Sequence, residues 1–163
     1  MAYQKLQTSD GLAVIPSATV MIPDPSTKVL SGQADFSVAG TLTDVGTTFL
    51  TAGIQQNAIV YNTTAQIAYY VTSVTDDLNL ALSPSSAGGA TDNYVIYNAP
   101  TIGCILYVGG SGNLVVQMAA AKDLPPSTNP EITFQTIPAS AFMPFQVVRV
   151  DSTTTASNIV ALW

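Results

Sequence analysis

The sequence predicts an all-β fold, and three observations carry that prediction. Its apolar residues come in short runs rich in Val, Ile, Thr and Tyr, the residues that pack best on a pleated surface. Turn formers, among them 11 Gly and 10 Pro, punctuate the chain at intervals of roughly eight to twelve residues. Segments with helical spacing are scarce. Only Thr47–Gly53, a single turn capped by Gly53, and Met118–Lys122, ahead of Pro125, read as short helical turns.

Taken in order, strands are predicted over Leu12–Ile15, Ala18–Ile22, Ala34–Val38, Ala58–Tyr61, Ile67–Val74 and Leu78–Leu82. They continue over Tyr94–Tyr97, Gly103–Val108, Leu114–Met118, Ile132–Ile137, Phe145–Val150 and Asn158–Leu162. Two hairpins are expected. In one, Thr75-Asp76-Asp77 reverses the chain between Tyr70–Val74 and Leu78–Leu82, whose second arm alternates apolar and polar residues as a half-buried strand does. In the other, Gly109-Gly110-Ser111-Gly112-Asn113 supplies the positive φ angles of a reversal between Ile105–Val108 and Leu114–Val116. The last strand runs to the final residue. It is expected to pair beside Phe145–Val150 or Ile105–Val108, with Trp163 mostly buried.

Composition shifts near Ser31 and again near Asn98. Residues 1–30 and 99–163 hold every basic residue and every proline but Pro84. The expected organisation is a β-sandwich formed by residues 1–30 and 99–163, with residues 31–98 inserted as a small β-barrel-like domain. Insertion at a loop tip is tolerated because the ends of the insert lie close together.

Charge narrows the function classes. Only 9% of residues are charged, against about 25% in an average soluble domain, while 47% are hydrophobic. So little charge leaves a monomer poorly protected against self-association, so much of the surface is expected to be covered by partners. Lys5, Lys28, Lys122 and Arg149 are the only basic residues, they are scattered, and the net charge is −6. Nucleic acid and anionic membrane surfaces are therefore not expected partners. The first residues, MAYQKLQTSDGL, have no apolar core of a signal peptide, so synthesis in the cytoplasm is expected.

No enzyme is expected. Without histidine, triads built on imidazole are excluded, and with one cysteine, Cys104, neither an intrachain disulfide nor a zinc site is expected. Cys104 sits in the apolar run Ile102–Leu106 and reads as a small core residue. Gly109–Gly112 lacks the Lys-Ser/Thr that completes a phosphate-binding loop. Asp76 and Asp77 are adjacent, so their side chains point apart and make no acid/base pair, and Glu131 is the sole glutamate. No calcium-loop pattern occurs. The expectation is no catalytic residue, no cofactor and no metal. Candidate interface residues are Tyr3 and Leu6 in an N-terminal arm, Tyr69 and Tyr70, of which one should face outward, and Trp163 as an anchor.

The C-terminal part reads Gly103–Val116, then Ile132-Thr133-Phe134, Ile137-Pro138-Ala139, Phe142–Val150 and Thr154–Trp163. This stretch resembles small virion structural proteins of tailed bacteriophages, cyanophages among them. In these, an LYVG run, a Phe before a Pro, and a closing P-V-Q-V-x-R-V…T-T-A-x-N-I-x-A-L-W pattern recur. The middle, with Phe49–Tyr61, Val71–Val74 and Tyr94–Tyr97, resembles a second small β unit of such proteins. The likeness covers about half the chain, and Ala119–Pro130 is an addition to the shorter versions. It implies a virion component, often multimeric, on the capsid, at a fibre base or near the tail. The function expected first is a capsid decoration (cement) protein on the capsid exterior, homotrimeric and bound to the major capsid protein. Its alternative is a spike or fibre base, or a tail-associated adhesion module.

Overall fold

A computed structural model describes residues 10–121 and 131–163. The protein is all-β, built of two six-stranded antiparallel sheets. The chain divides into two units, Ile15–Thr101 in the middle and the flanks, up to Val14 and from Ile102, around it.

The middle unit holds β2 (Lys28–Ala34), β3 (Thr41–Thr43), β4 (Ile59–Asn62), β5 (Ile67–Val74), β6 (Asn79–Ser83) and β7 (Asp92–Tyr97). They form one sheet in the order β2-β7-β4-β5-β6-β3. The two outer strands do not stay apart. Asp35, just past β2, bridges Thr43 in β3, so the sheet closes on itself at that end as a small barrel does. Side chains of one parity point inward and form the core, led by Phe36, Leu42, Phe49, Tyr69, Leu80 and Tyr94. Tyr69 stacks on Phe36 at 5.9 Å, and Tyr94 meets Phe36 edge-on at 6.3 Å. Their hydroxyls are not left orphaned: Tyr94 donates to Asp44 Oδ2 at 2.7 Å and Tyr69 to the Ser86 carbonyl at 3.5 Å.

A buried polar pair fixes the start of β7 against the end of β4. Asn62 Nδ2 and the Gly89 N–H both donate to Asp92 Oδ2 at 2.7 Å, and Asn62 Oδ1 accepts from the Thr64 and Ala65 amides. A Cβ at Gly88 would lie 2.6 Å from Asp92 Oδ2, so this pair leaves room only for glycine there. The β5–β6 hairpin forms as the sequence predicts, with Val74 opposite Leu80. The Thr47–Gly53 segment makes a single turn. The amides of Gly53 (φ +74°) and Ile54 bond back to Leu50 and Phe49, the Schellman arrangement that ends a helix.

The flanking unit holds β1 (Gly11–Ala13), β8 (Cys104–Gly110), β9 (Gly112–Met118), β10 (Ile132–Ile137), β11 (Ala141–Val150) and β12 (Ser157–Leu162), in the order β1-β12-β8-β11-β9-β10. β11 is shared. Its first part, Ala141–Met143, pairs with β8, its last part, Arg149 and Val150, with β9, and Val147 meets both. Leu106, Val108, Leu114, Val116, Val147 and Val148 are fully enclosed. The short turn expected over Met118–Lys122 is a 3-10 turn at Ala119–Ala121.

Four expectations need correction. Ala18–Ile22 is not a strand; Ser17 Oγ takes the Thr19 and Val20 amides, and Val20 and Ile22 are buried in irregular chain. Ala34–Val38 is not one either: pairing there belongs to Lys28–Ala34, which lies along β7. The middle unit runs over residues 15–101 rather than 31–98, because residues 28–30 pair with β7 and the chain ahead of them pairs at Ile22 and Pro23 with Thr101 and Pro100. Finally, Gly109–Asn113 makes no hairpin, since β11 lies between β8 and β9. Gly112 instead turns a corner with φ +151°, where a Cβ would lie 2.5 Å from the Ala156 amide nitrogen.

Candidate interaction surfaces

In a sheet, residues opposite each other in register share a face. In the flanking unit, Phe142 lies opposite Tyr107, Tyr107 opposite Val160 and Val160 opposite Ala13. These four residues make a row across β11, β8, β12 and β1. Their neighbours Leu106, Met143 and Ala161 point the other way and are buried. Tyr107 is 36% and Phe142 47% exposed, although both are large and apolar. The outward positions of β1, β8 and β12 carry no charge at all.

The charge is elsewhere. Arg149 is half-buried in the same unit and donates to Glu131 Oε1 (2.6 Å), Gln117 Oε1 (3.0 Å) and Asp151 Oδ2 (3.4 Å). Burial pushes the Asp151 carboxyl up, but hydrogen bonds from the Thr153 amide and hydroxyl, with the Arg149 charge, outweigh it and hold the carboxyl below its ordinary range. This network joins β9, β11 and the entry to β10. In the middle unit, Asp24, Asp35, Asp44, Asp76, Asp77 and Asp92 face Lys28 alone, so residues 15–101 carry −5 of the net −6.

The candidate interface residues fall in different places. Tyr69 has no exposed surface and lies inside the barrel core, so it is not an interface residue; its parity on β5 points it at Phe36. Tyr70, of opposite parity, is half-buried, and its hydroxyl accepts the Met21 amide at 2.9 Å. Trp163 is half-buried; its amide donates to the Asp10 carbonyl, and the preceding β12 pairs with both β8 and β1. Tyr3 and Leu6 lie outside the described residues. Sequence reading missed Tyr107 and Phe142. Alternation along each strand hinted at their outward parity, but their adjacency is a matter of long-range register.

The acidic side chains serve the fold. Asp76 Oδ1 accepts the Leu78 amide and Asn79 Nδ2, which closes the β5–β6 turn and lowers the carboxyl's pKa. Asp35 is lowered by its hydrogen bonds to Ser37. A cleft of about 230 Å³ lies at the barrel seam, lined in part by Gln33, Asp35, Thr43, Asp44 and Thr91. Cys104 is buried with its Sγ 3.3 Å from the Val147 carbonyl, and burial pushes its thiol up to about 12. Among the described residues no group of three or more Asp, Glu, Cys or His could hold a metal ion, and no helix is long and apolar enough to cross a membrane.

Comparison with family models, with curated proteins and with solved structures gives no match to this chain.

Proposed function

We propose that this is a non-enzymatic structural protein of a virus particle that decorates the capsid exterior as a homotrimer and binds the major capsid protein. The observation that carries the reading is the uncharged row Phe142-Tyr107-Val160-Ala13 on the flanking sheet. Aromatic residues in the centre of an uncharged face are what subunit interfaces use. Burying one such side chain contributes roughly 1.5–3 kcal/mol. Because the negative charge is concentrated in the middle unit, copies can meet through the flanking units with little repulsion. The resemblance of the C-terminal stretch to small phage virion proteins supplies the particle as the setting.

Copy number tests this reading. Quantitative mass spectrometry of purified particles should find the chain in hundreds of copies. A dozen copies or fewer would favour a spike base or tail role, and absence from the particle would remove the virion reading.

A further inference from the structure

The end of the middle barrel where β3 hands over to the loop before β4 carries an apolar tip. Val45 is 85% exposed, Leu50 59% and Leu78 38%. They come from two loops tied together by backbone: the Asp44 amide donates to the Leu78 carbonyl and the Phe49 amide to the Asp77 carbonyl, both at 2.9 Å. The loops are preorganised as well. Asp44 Oδ1 holds the Gly46 amide, Asp76 holds the β5–β6 turn, and the Schellman turn fixes Leu50. Presenting three aliphatic side chains from rigid loops lowers the ordering cost of docking.

The chemistry around the tip defines what fits. Asp76 and Asp77 precede Leu78 in the turn and Asp44 precedes Val45, although Asp44 Oδ2 is taken by the Tyr94 hydroxyl; Lys28 is the only base of this unit. Asp77 Oδ1 is buried without a hydrogen-bond partner among the described residues. A second copy of the tip would bring like charges face to face, which disfavours self-pairing here. Anionic lipid is disfavoured for the same reason.

We infer that the Val45-Leu50-Leu78 tip is the surface that docks on the capsid lattice, into an apolar pocket rimmed by Lys or Arg side chains of the capsid protein. The inference rests on the virion reading above and assigns its second contact. The flanking sheet joins copies to one another, and the acidic tip joins them to the particle.

The test is cosedimentation of the full chain with particles of its virus prepared without it. The expected result is binding that weakens as salt rises from about 0.05 to 0.5 M. Val45→Ser with Leu50→Ser should weaken it about ten-fold at an unchanged melting temperature. Asp76→Asn, which keeps an oxygen for the Leu78 amide, should remove part of the salt dependence. If wild type binds and the double variant and Asp76→Asn bind equally well, the tip is not the docking surface and the virion reading stands. If wild type does not bind the particles at any salt, both fall. If it sediments with phosphatidylcholine vesicles, and Val45→Ser with Leu50→Ser abolishes that, the tip is a lipid contact and the inference is overturned.

Discussion

Asp35 and Thr43 exchange two backbone hydrogen bonds, at 2.8 and 2.9 Å, and so join the outermost strands of the middle sheet. An open six-stranded sheet exposes two edges that invite pairing with other chains; this bridge removes part of both. The amides of Asp35 and Thr43 are therefore expected to exchange with deuterium as slowly as those of the inner strands. Thr43→Pro removes one of the two donors and leaves the Asp35 carbonyl without it, which should cost about 1–3 kcal/mol. Exchange at both amides as fast as in surface loops would show that the seam is open.

Two glycines with positive φ differ in what surrounds them. At Gly53 a Cβ meets nothing within 4 Å, whereas at Gly112 it would strike the Thr155–Ala156 backbone. Gly53→Ala should cost only the left-handed penalty, about 1–2 kcal/mol. Gly112→Ala should cost about 3 kcal/mol or more, because backbone must move. Chemical denaturation of the two variants checks the ranking, and equal losses would contradict the corner described for β8 and β9.

The Arg149 network makes the flanking unit sensitive to acid. The Asp151 carboxyl is held below its ordinary value of 3.8, so its contribution is complete above that pH and is lost as pH falls through the lower folded value. Trp163, the only tryptophan, reports on this unit. Its fluorescence should show wild type losing stability below pH 3.8 more steeply than Asp151→Asn. Arg149→Met, which leaves two carboxylates without their cation, should cost about 3 kcal/mol at neutral pH.

Cys104 should be inert in the folded protein. Its thiol is enclosed and pushed up to about 12, so at pH 8 almost no thiolate forms. An alkylating reagent should label it only after denaturation. Rapid labelling of the native protein would mean that the β8–β11 seam opens.

Much of this fold is legible locally. Alternation over Leu78–Leu82 and the Asp76-Asp77 turn specify the β5–β6 hairpin, and Gly53 marks its Schellman turn, because those interactions span only a few residues. The errors share a cause. Apolar patterning reports burial, not pairing, so Val20 and Ile22 read as a strand when they are buried in irregular chain. No strand is expected over residues 28–33, because the partner that makes them one, β7, is distant in sequence. The glycines of 109–112 signalled a reversal, but Gly112 is needed for close approach to a segment more than 40 residues later. The candidate surfaces are less legible still. Tyr69 and Tyr70 looked equivalent until the barrel closed around one, and the Phe142-Tyr107-Val160 row exists only through register among three strands distant in sequence.

The central claim is that this chain functions by assembling, and sedimentation of the full chain tests it most directly. At micromolar concentration wild type should sediment as a trimer, and Tyr107→Ser with Phe142→Ser should shift it to monomer while the melting transition is retained. A wild-type protein that sediments as a clean monomer across that range would contradict the account.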